Sequence, residues 1–359
     1  MSNLQIESVA VYPLDVPLLA PFTIASAQLT HVNNIVIEIR LGNGIRGFGE
    51  GAVLPPVTLE TQETALAVAK QQIEYLVGME PGSWRRVGLE LAERIPDYAS
   101  VRAAIEIAFL DALTQSWGIP LAHFFGGMSN RLTTDITIPI CTVSEAESLA
   151  RMYKTQGFST IKTKVGLELS NDLDRLSAIC RGHPDCHLIL DANEGYTVEQ
   201  SLHLLDLLKK SKIPVALLEQ PVIRDDWDGM CQITRQADVP VVADESCRSS
   251  LDAMRIVKSR VADVINIKIA KCGVVQALEI AAIARSGGVD LMIGEMVETR
   301  LATGFSAHFA AGLGGFSWVD LDTPLLLADD PIAGGYLREG ANYFLDGIET
   351  GHGGKPVLK

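Results

Sequence analysis

The chain has 359 residues, 47% of them hydrophobic and 21% charged, enough for one large domain or two ordinary ones. Its net charge of −14 argues against nucleic acid and anionic membrane as partners, and suits metal ions or cationic small molecules. The six cysteines show no paired spacing, the N-terminus lacks a basic-then-apolar leader, and no uncharged apolar run approaches a membrane span. Reduced thiols and a cytoplasmic location are the expectation.

Residues 4–18 alternate as a strand, Asn34–Leu41 is a stronger one, and Gly42-Asn43-Gly44 turns the chain into a second hairpin arm, Ile45–Glu50. Leu19 to His31 between them reads as loop. The period then becomes helical over Leu59–Leu76, Trp84–Arg94 and Ala99–Trp117, and Gly118-Ile119-Pro120 stops the last helix. Strands followed by helices predict an α+β domain over residues 1–125.

Beyond it, short apolar strands alternate with amphipathic helices. Strands are predicted at Thr134–Thr142, Thr160–Gly166, Leu188–Asp191, Val215–Glu219, Val239–Asp244, Val264–Lys268, Leu291–Gly294 and Phe316–Asp320. Among the helices, Val198–Lys210 carries a capping box, Thr197 with Gln200. Eight such units predict an α/β class fold, a closed (β/α)8-type barrel over 126–324. The remaining 325–359 is expected to pack on the first domain, with a mobile glycine-rich end.

In such barrels the chemistry lies at the C-terminal ends of the strands. Lys162 and Lys164, two apart on one strand, project to the same face. Two close ammonium groups disfavour each other's protonation, which would move a lysine from about 10.4 toward the range of a neutral-pH base. An edge strand guarded by lysines is the plain alternative. The runs that follow end in Asp191, Glu219, Asp244 and Lys268, at steps of about 27, 28, 25 and 24 residues, roughly one barrel unit each. Three carboxylates converging on one mouth repel one another unless a cation sits among them, and an all-oxygen set favours Mg²⁺ or Mn²⁺ over Zn²⁺. Lys164 and Lys268 then face each other across the mouth. A carboxylate substrate bound there has its α-carbon between two amines, the arrangement for 1,1-proton transfer. Lys162 would depress Lys164 and contact the substrate carboxylate.

Together with Gly47-Phe48-Gly49-Glu50 and the run Ala103 to Asp111, the motifs Lys162-Thr163-Lys164, Asp191-Ala192-Asn193, Glu219-Gln220-Pro221, Asp244-Glu245-Ser246 and Asn266-Ile267-Lys268 resemble the muconate-lactonizing subgroup of the enolase superfamily. That superfamily's use of a Lys base with Mg²⁺ is general knowledge. The resemblance implies a (β/α)7β barrel with an N-terminal capping domain, Mg²⁺ on Asp191, Glu219 and Asp244, and Lys164 and Lys268 as the acid/base pair. It also allows a homo-oligomer.

Trp318-Val319-Asp320-Leu321-Asp322 places two carboxylates on one face. It resembles the dipeptide epimerases, in which such a pair binds the substrate's α-ammonium; a strand end feeding a turn before Pro324 is the plain reading. Muconate cycloisomerases, o-succinylbenzoate synthases and N-acylamino-acid racemases, the alternatives within the superfamily, handle no free ammonium. A Schiff-base lyase and a non-catalytic barrel are the alternatives outside it. Relatives acting on L-Ala-D/L-Glu resemble one another in an arginine in the first capping loop, whereas Pro21 to Gln28 here holds no basic residue. An acidic side chain is therefore not expected. Glu295, with Glu50, suggests a cationic one, with Thr137 and Met296 as further substrate contacts; a salt bridge from Glu295 to Arg300, or a helix cap, is the alternative.

Overall fold

A computed structural model of the chain describes residues 3–24, 27–55 and 57–357. The first domain is built on an antiparallel sheet of β1 (Ile6–Thr23), β2 (Gln28–Leu41) and β3 (Arg46–Gly51). Its inner face, with Ile35, Ile37 and Ile39, packs on helix Ala99–Trp117. The alternating glycines of β3 let that helix approach: a Cβ at Gly49 would stand 2.0 Å from the carbonyl oxygen of Ala104, and one at Gly47 2.3 Å from that of Ala108.

The span Leu19–His31, expected as loop, is a correction. β1 and β2 continue as a hairpin through it, with Phe22 opposite Leu29 and Thr23 opposite Gln28. Polar residues at its exposed positions hid the alternation. Residues 25 and 26, between the two strands in sequence, lie outside the described residues. The hairpin reaches the second domain, where the Ile140 amide donates to the Thr23 carbonyl at 3.1 Å.

After the short strand β4 (Arg131–Thr133) comes a parallel sheet of eight strands in sequence order: β5 (Ile136–Ile138), β6 (Thr160–Lys164), β7 (His187–Asp191), β8 (Val215–Glu219), β9 (Val241–Ala243), β10 (Val264–Lys268), β11 (Asp290–Gly294) and β12 (Phe316–Val319). Helices join the strands, including Val198–Lys210 with its Thr197 capping box. At the seam between first and last strands the Asp135 amide donates to the Val319 carbonyl at 3.0 Å, and the Leu321 amide to Thr134 Oγ1 at 2.8 Å. Ile189, Leu217, Val242, Val264 and Met292, with Trp318, form an apolar layer within the sheet's curl.

The C-terminal segment divides between the domains. Asn342–Phe344 pairs with β4, while the His352 amide donates to Asp111 on the long capping-domain helix at 3.1 Å. Its glycine-rich stretch is tied down rather than free, since Ala333 pairs with Lys355 and Ile332 with Pro356; residues 358 and 359 lie outside the described residues.

Candidate active site

Strand register assembles the site. Lys164 lies opposite Asp191, and Asp191 opposite Glu219, so one layer carries an amine and two carboxylates on three adjacent strands. Val242 pairs with both Glu219 and Val264, which puts Asp244, two residues on, at the next level beside Asn266. Lys268 ends β10, four strands from β6 in the eight-strand order. Half a turn of an eight-strand barrel separates such strands, as far apart as they can be. Lys162, Lys164 and Lys268 all line one cavity.

The charges are paired through a buried network. Lys162 Nζ lies 2.7 Å from Glu219, 3.1 Å from Asp191 and 2.6 Å from Asp320. Lys164 lies 2.6 Å from Asp191, and Lys268 2.8 Å from Asp244. Burial alone would raise Asp191 and Asp244, but Lys162 and Lys164 on the first, and Lys268 and Lys271 on the second, hold both carboxyls well below the usual range. Burial and the neighbouring Asp191 push Glu219 up to about 7. Burial also works against the Lys162 and Lys268 ammonium groups. Asp191, Asp320 and Glu219 outweigh it at Lys162, and Asp244 does so at Lys268, so both are held above the usual lysine range. Mutual depression between Lys162 and Lys164 was the expectation; in the folded chain Lys162 instead answers to carboxylates arriving from other strands.

Asp191, Glu219 and Asp244 match a hard divalent cation in donor chemistry, though their oxygens here lie against lysines. Among the described residues the three carboxylates within 4.8 Å of one another are Asp135, Asp320 and Asp322. Asp191, Glu219 and Asp244 are buried and offer oxygen only. Glu219 Oε2 and Asp244 Oδ2 stand at ion-pair distance from lysines without an aligned hydrogen bond. Glu245 Oε2 and Asn193 Oδ1 nearby have no hydrogen-bond partner among the described residues. Two supporting residues were missed. Asn266 Nδ2 donates to Glu219 Oε1 at 2.7 Å, and the Lys271 ammonium, one helical turn past Lys268, donates to Asp244. Their signal was present in the spacing of Asn266, Lys268 and Lys271.

Asp320, Asp322 and Thr137 line the same cavity, with the Thr137 amide donating to Asp322 Oδ2 at 2.5 Å. Phe22, Ile24, Leu54, Val57, Met296 and Val297 supply an apolar wall. Glu295 borders the cavity, yet the Thr323 amide donates to its Oε1 at 2.6 Å and the Thr303 hydroxyl to its Oε2. Arg300, its partner in the alternative reading, instead donates to the carbonyls of Gly334 and Tyr336. Glu50 is a correction: it is not in the cavity lining. It accepts from Asn34 Nδ2 at 2.7 Å, the Thr299 amide at 3.0 Å and the Ala302 amide at 3.1 Å, capping helix Arg300–Leu313 and joining the two domains. Each Glu50 oxygen thus accepts two hydrogen bonds, whereas each Glu295 oxygen accepts one.

Residues 6–126 match the mandelate racemase / muconate lactonizing enzyme N-terminal domain, and residues 144–345 the enolase C-terminal domain-like family. The chain belongs to the mandelate racemase / muconate lactonizing enzyme family of the enolase superfamily. Among its relatives is the L-Ala-D/L-amino acid epimerase of Populus trichocarpa, 51% identical over 95% of this chain and 82% of that protein. Another is the aromatic dipeptide epimerase of Herpetosiphon aurantiacus, 41% identical over 97% of this chain and 98% of that one. The crystal structure of the dipeptide epimerase from Enterococcus faecalis V583, complexed with Mg and L-Leu-L-Tyr, superimposes with a TM-score of 0.94 at 32% identity, covering 98% and 99% of the two chains.

Proposed function

We propose that the protein is a magnesium-dependent dipeptide epimerase that inverts the α-carbon of a dipeptide's C-terminal residue. The observation that carries this reading is the placement of Lys164 and Lys268 four strands apart, on one cavity that Asp320 and Asp322 also line. The relatives' activities point the same way. Asp191, Glu219 and Asp244 would hold the divalent cation, which would supply positive charge to offset that growing on the substrate's carboxylate as its α-proton leaves. The lysine on one side removes that proton, and the lysine on the other returns one to the opposite face. Lys162 adds fixed positive charge, and Asp320 and Asp322 anchor the α-ammonium, which sets the α-carbon between the two amines. N-acylated substrates would bring no cation to Asp322, which, unlike Asp320, has no ion pair among the described residues, and this disfavours the acylamino-acid racemase reading.

The apolar wall favours a hydrophobic side chain over the cationic one expected from Glu295 and Glu50. It agrees with the aromatic and hydrophobic dipeptide epimerases among the relatives. The six cysteines are all free, which fits a reducing cytoplasm. Among the described residues no helix is long and apolar enough to cross a membrane. Incubation with Mg²⁺ and a panel of L-Ala-L-X dipeptides tests the reading. Conversion to L-Ala-D-X, fastest for X = Leu, Phe or Tyr, supports it; no conversion of any dipeptide overturns it.

A further inference from the structure

Asp135 has no part in the family motifs that first drew attention to this barrel. It precedes β5 and shares a face with Thr137, two residues on, one level beneath the cavity lining, which holds Thr137, Asp320 and Asp322 but not Asp135 itself. The backbone of Asp135 closes the barrel seam, and its side chain is 2% exposed. Neither carboxylate oxygen has a hydrogen-bond partner among the described residues, and the same holds for Oδ1 of Asp322. A buried carboxylate with both oxygens unanswered is costly unless something occupies them.

What surrounds Asp135 says what that is. One oxygen each of Asp135, Asp320 and Asp322 lies within 4.8 Å of the other two. A triangle with no side longer than this has a point within about 2.8 Å of every corner, the length of a charged N–H···O bond. Lys162 does not fill it. Among the described residues its ion pairs run to Asp320, Asp191 and Glu219, not to Asp135 or Asp322. Burial, and then the neighbouring acids, raise Asp135 well above and Asp322 to about 6, as expected for carboxyls short of positive charge.

We propose that Asp135 is the third acceptor of the ammonium subsite, so that Asp135, Asp320 and Asp322 each take one N–H of the dipeptide's primary α-ammonium. The inference rests on the epimerase reading and deepens it. Three acceptors match the three donors of –NH₃⁺ and leave one unanswered when the nitrogen carries a methyl group. The subsite therefore selects a primary amine over N-methylated and N-terminal prolyl peptides, a discrimination that two acceptors would not impose.

The test compares L-Ala-L-Leu with N-methyl-L-Ala-L-Leu, on the wild type and on Asp135→Asn, each loaded with Mg²⁺. For the primary amine, Asp135→Asn is expected to raise KM by about 10–100-fold with kcat nearly kept, as for loss of one charged hydrogen bond. For the N-methyl peptide, already poor on the wild type, the same substitution costs less than about threefold. Equal losses for both peptides overturn the proposal and make Asp135 a structural acid of the seam. Two metal ions per wild-type chain, falling to one in Asp135→Asn, also overturn it, since a cation rather than the substrate would then fill the triangle. Should Asp135→Asn fail to fold, Asp135→Ser removes the same charge and gives the same comparison. A wild type inactive on every dipeptide overturns the epimerase reading and this inference together; an active one with equal losses overturns this inference alone.

Discussion

Lys162 of β6 and Asp320, just past β12, meet at 2.6 Å across the barrel interior, and the same ammonium touches Glu219 and Asp191. One cation thus links Asp320, proposed to bind the substrate's ammonium, to Asp191 and Glu219, proposed to hold the metal. Lys162→Met keeps the volume and removes the charge, leaving three buried carboxylates short of a partner. The loss is about 3–5 kcal/mol of stability, measured by urea unfolding without metal, and Mg²⁺ recovers part of it.

Metal dependence follows from the oxygen-only set of Asp191, Glu219 and Asp244. Excess EDTA is expected to lower epimerisation by at least about a hundredfold, with full return on adding Mg²⁺. Asp191→Asn, Glu219→Gln and Asp244→Asn each weaken Mg²⁺ binding by calorimetry. Full activity in EDTA would instead favour a metal-free lyase using a lysine Schiff base.

On the proposed reading, side-chain preference is set by Phe22 and Ile24 of the hairpin and the wall facing them. Ile24 is 5% exposed and lines the cavity with Phe22 and Leu54. Ile24→Arg introduces a guanidinium there, and the ratio of kcat/KM for L-Ala-L-Glu to that for L-Ala-L-Leu is expected to rise by about 10–100-fold. An unchanged ratio would place the side-chain subsite elsewhere.

A pH-dependent stability term lies away from the cavity. Glu106, on the long capping-domain helix, accepts from the Val275 amide at 2.8 Å, at the start of helix Val274–Gly287. Burial pushes its carboxyl from the ordinary 4.5 up to about 7. The folded state therefore holds a proton that the unfolded chain releases. Its stabilisation is complete below about 4.5 and lost as pH rises to about 7. Glu106→Gln removes the effect. The stability of the wild type relative to the variant should fall by on the order of 3 kcal/mol across that window and stay flat above it. A difference independent of pH would show the carboxyl ionised throughout.

The barrel was legible because its strands are apolar runs ending in polar residues at near-regular steps. Val215–Glu219 and Val264–Lys268 were placed to the residue, as were the capping helices Trp84–Arg94 and Ala99–Trp117. The hairpin over Leu19–His31 was not, because its strands alternate against a partner domain rather than a single core. Lys162, Lys164 and Lys268 could be placed on one cavity from strand alternation alone. The use made of Glu50 and Glu295 could not. Both are satisfied by amides and hydroxyls of the Thr299–Thr323 region, whose approach is a tertiary fact. Asp135 was overlooked for a similar reason: its meaning comes from Asp320 and Asp322, nearly two hundred residues on, across the seam.

Proton exchange tests the two-lysine arrangement most directly. With Mg²⁺ in D₂O, NMR follows deuterium entering the C-terminal α-position of L-Ala-L-Leu and L-Ala-D-Leu on Lys164→Ala and Lys268→Ala. Each variant is expected to lose epimerisation and to exchange only one of the two epimers, the two variants having opposite choices. One variant losing both exchanges while the other keeps both would mean a single base, and would contradict the account.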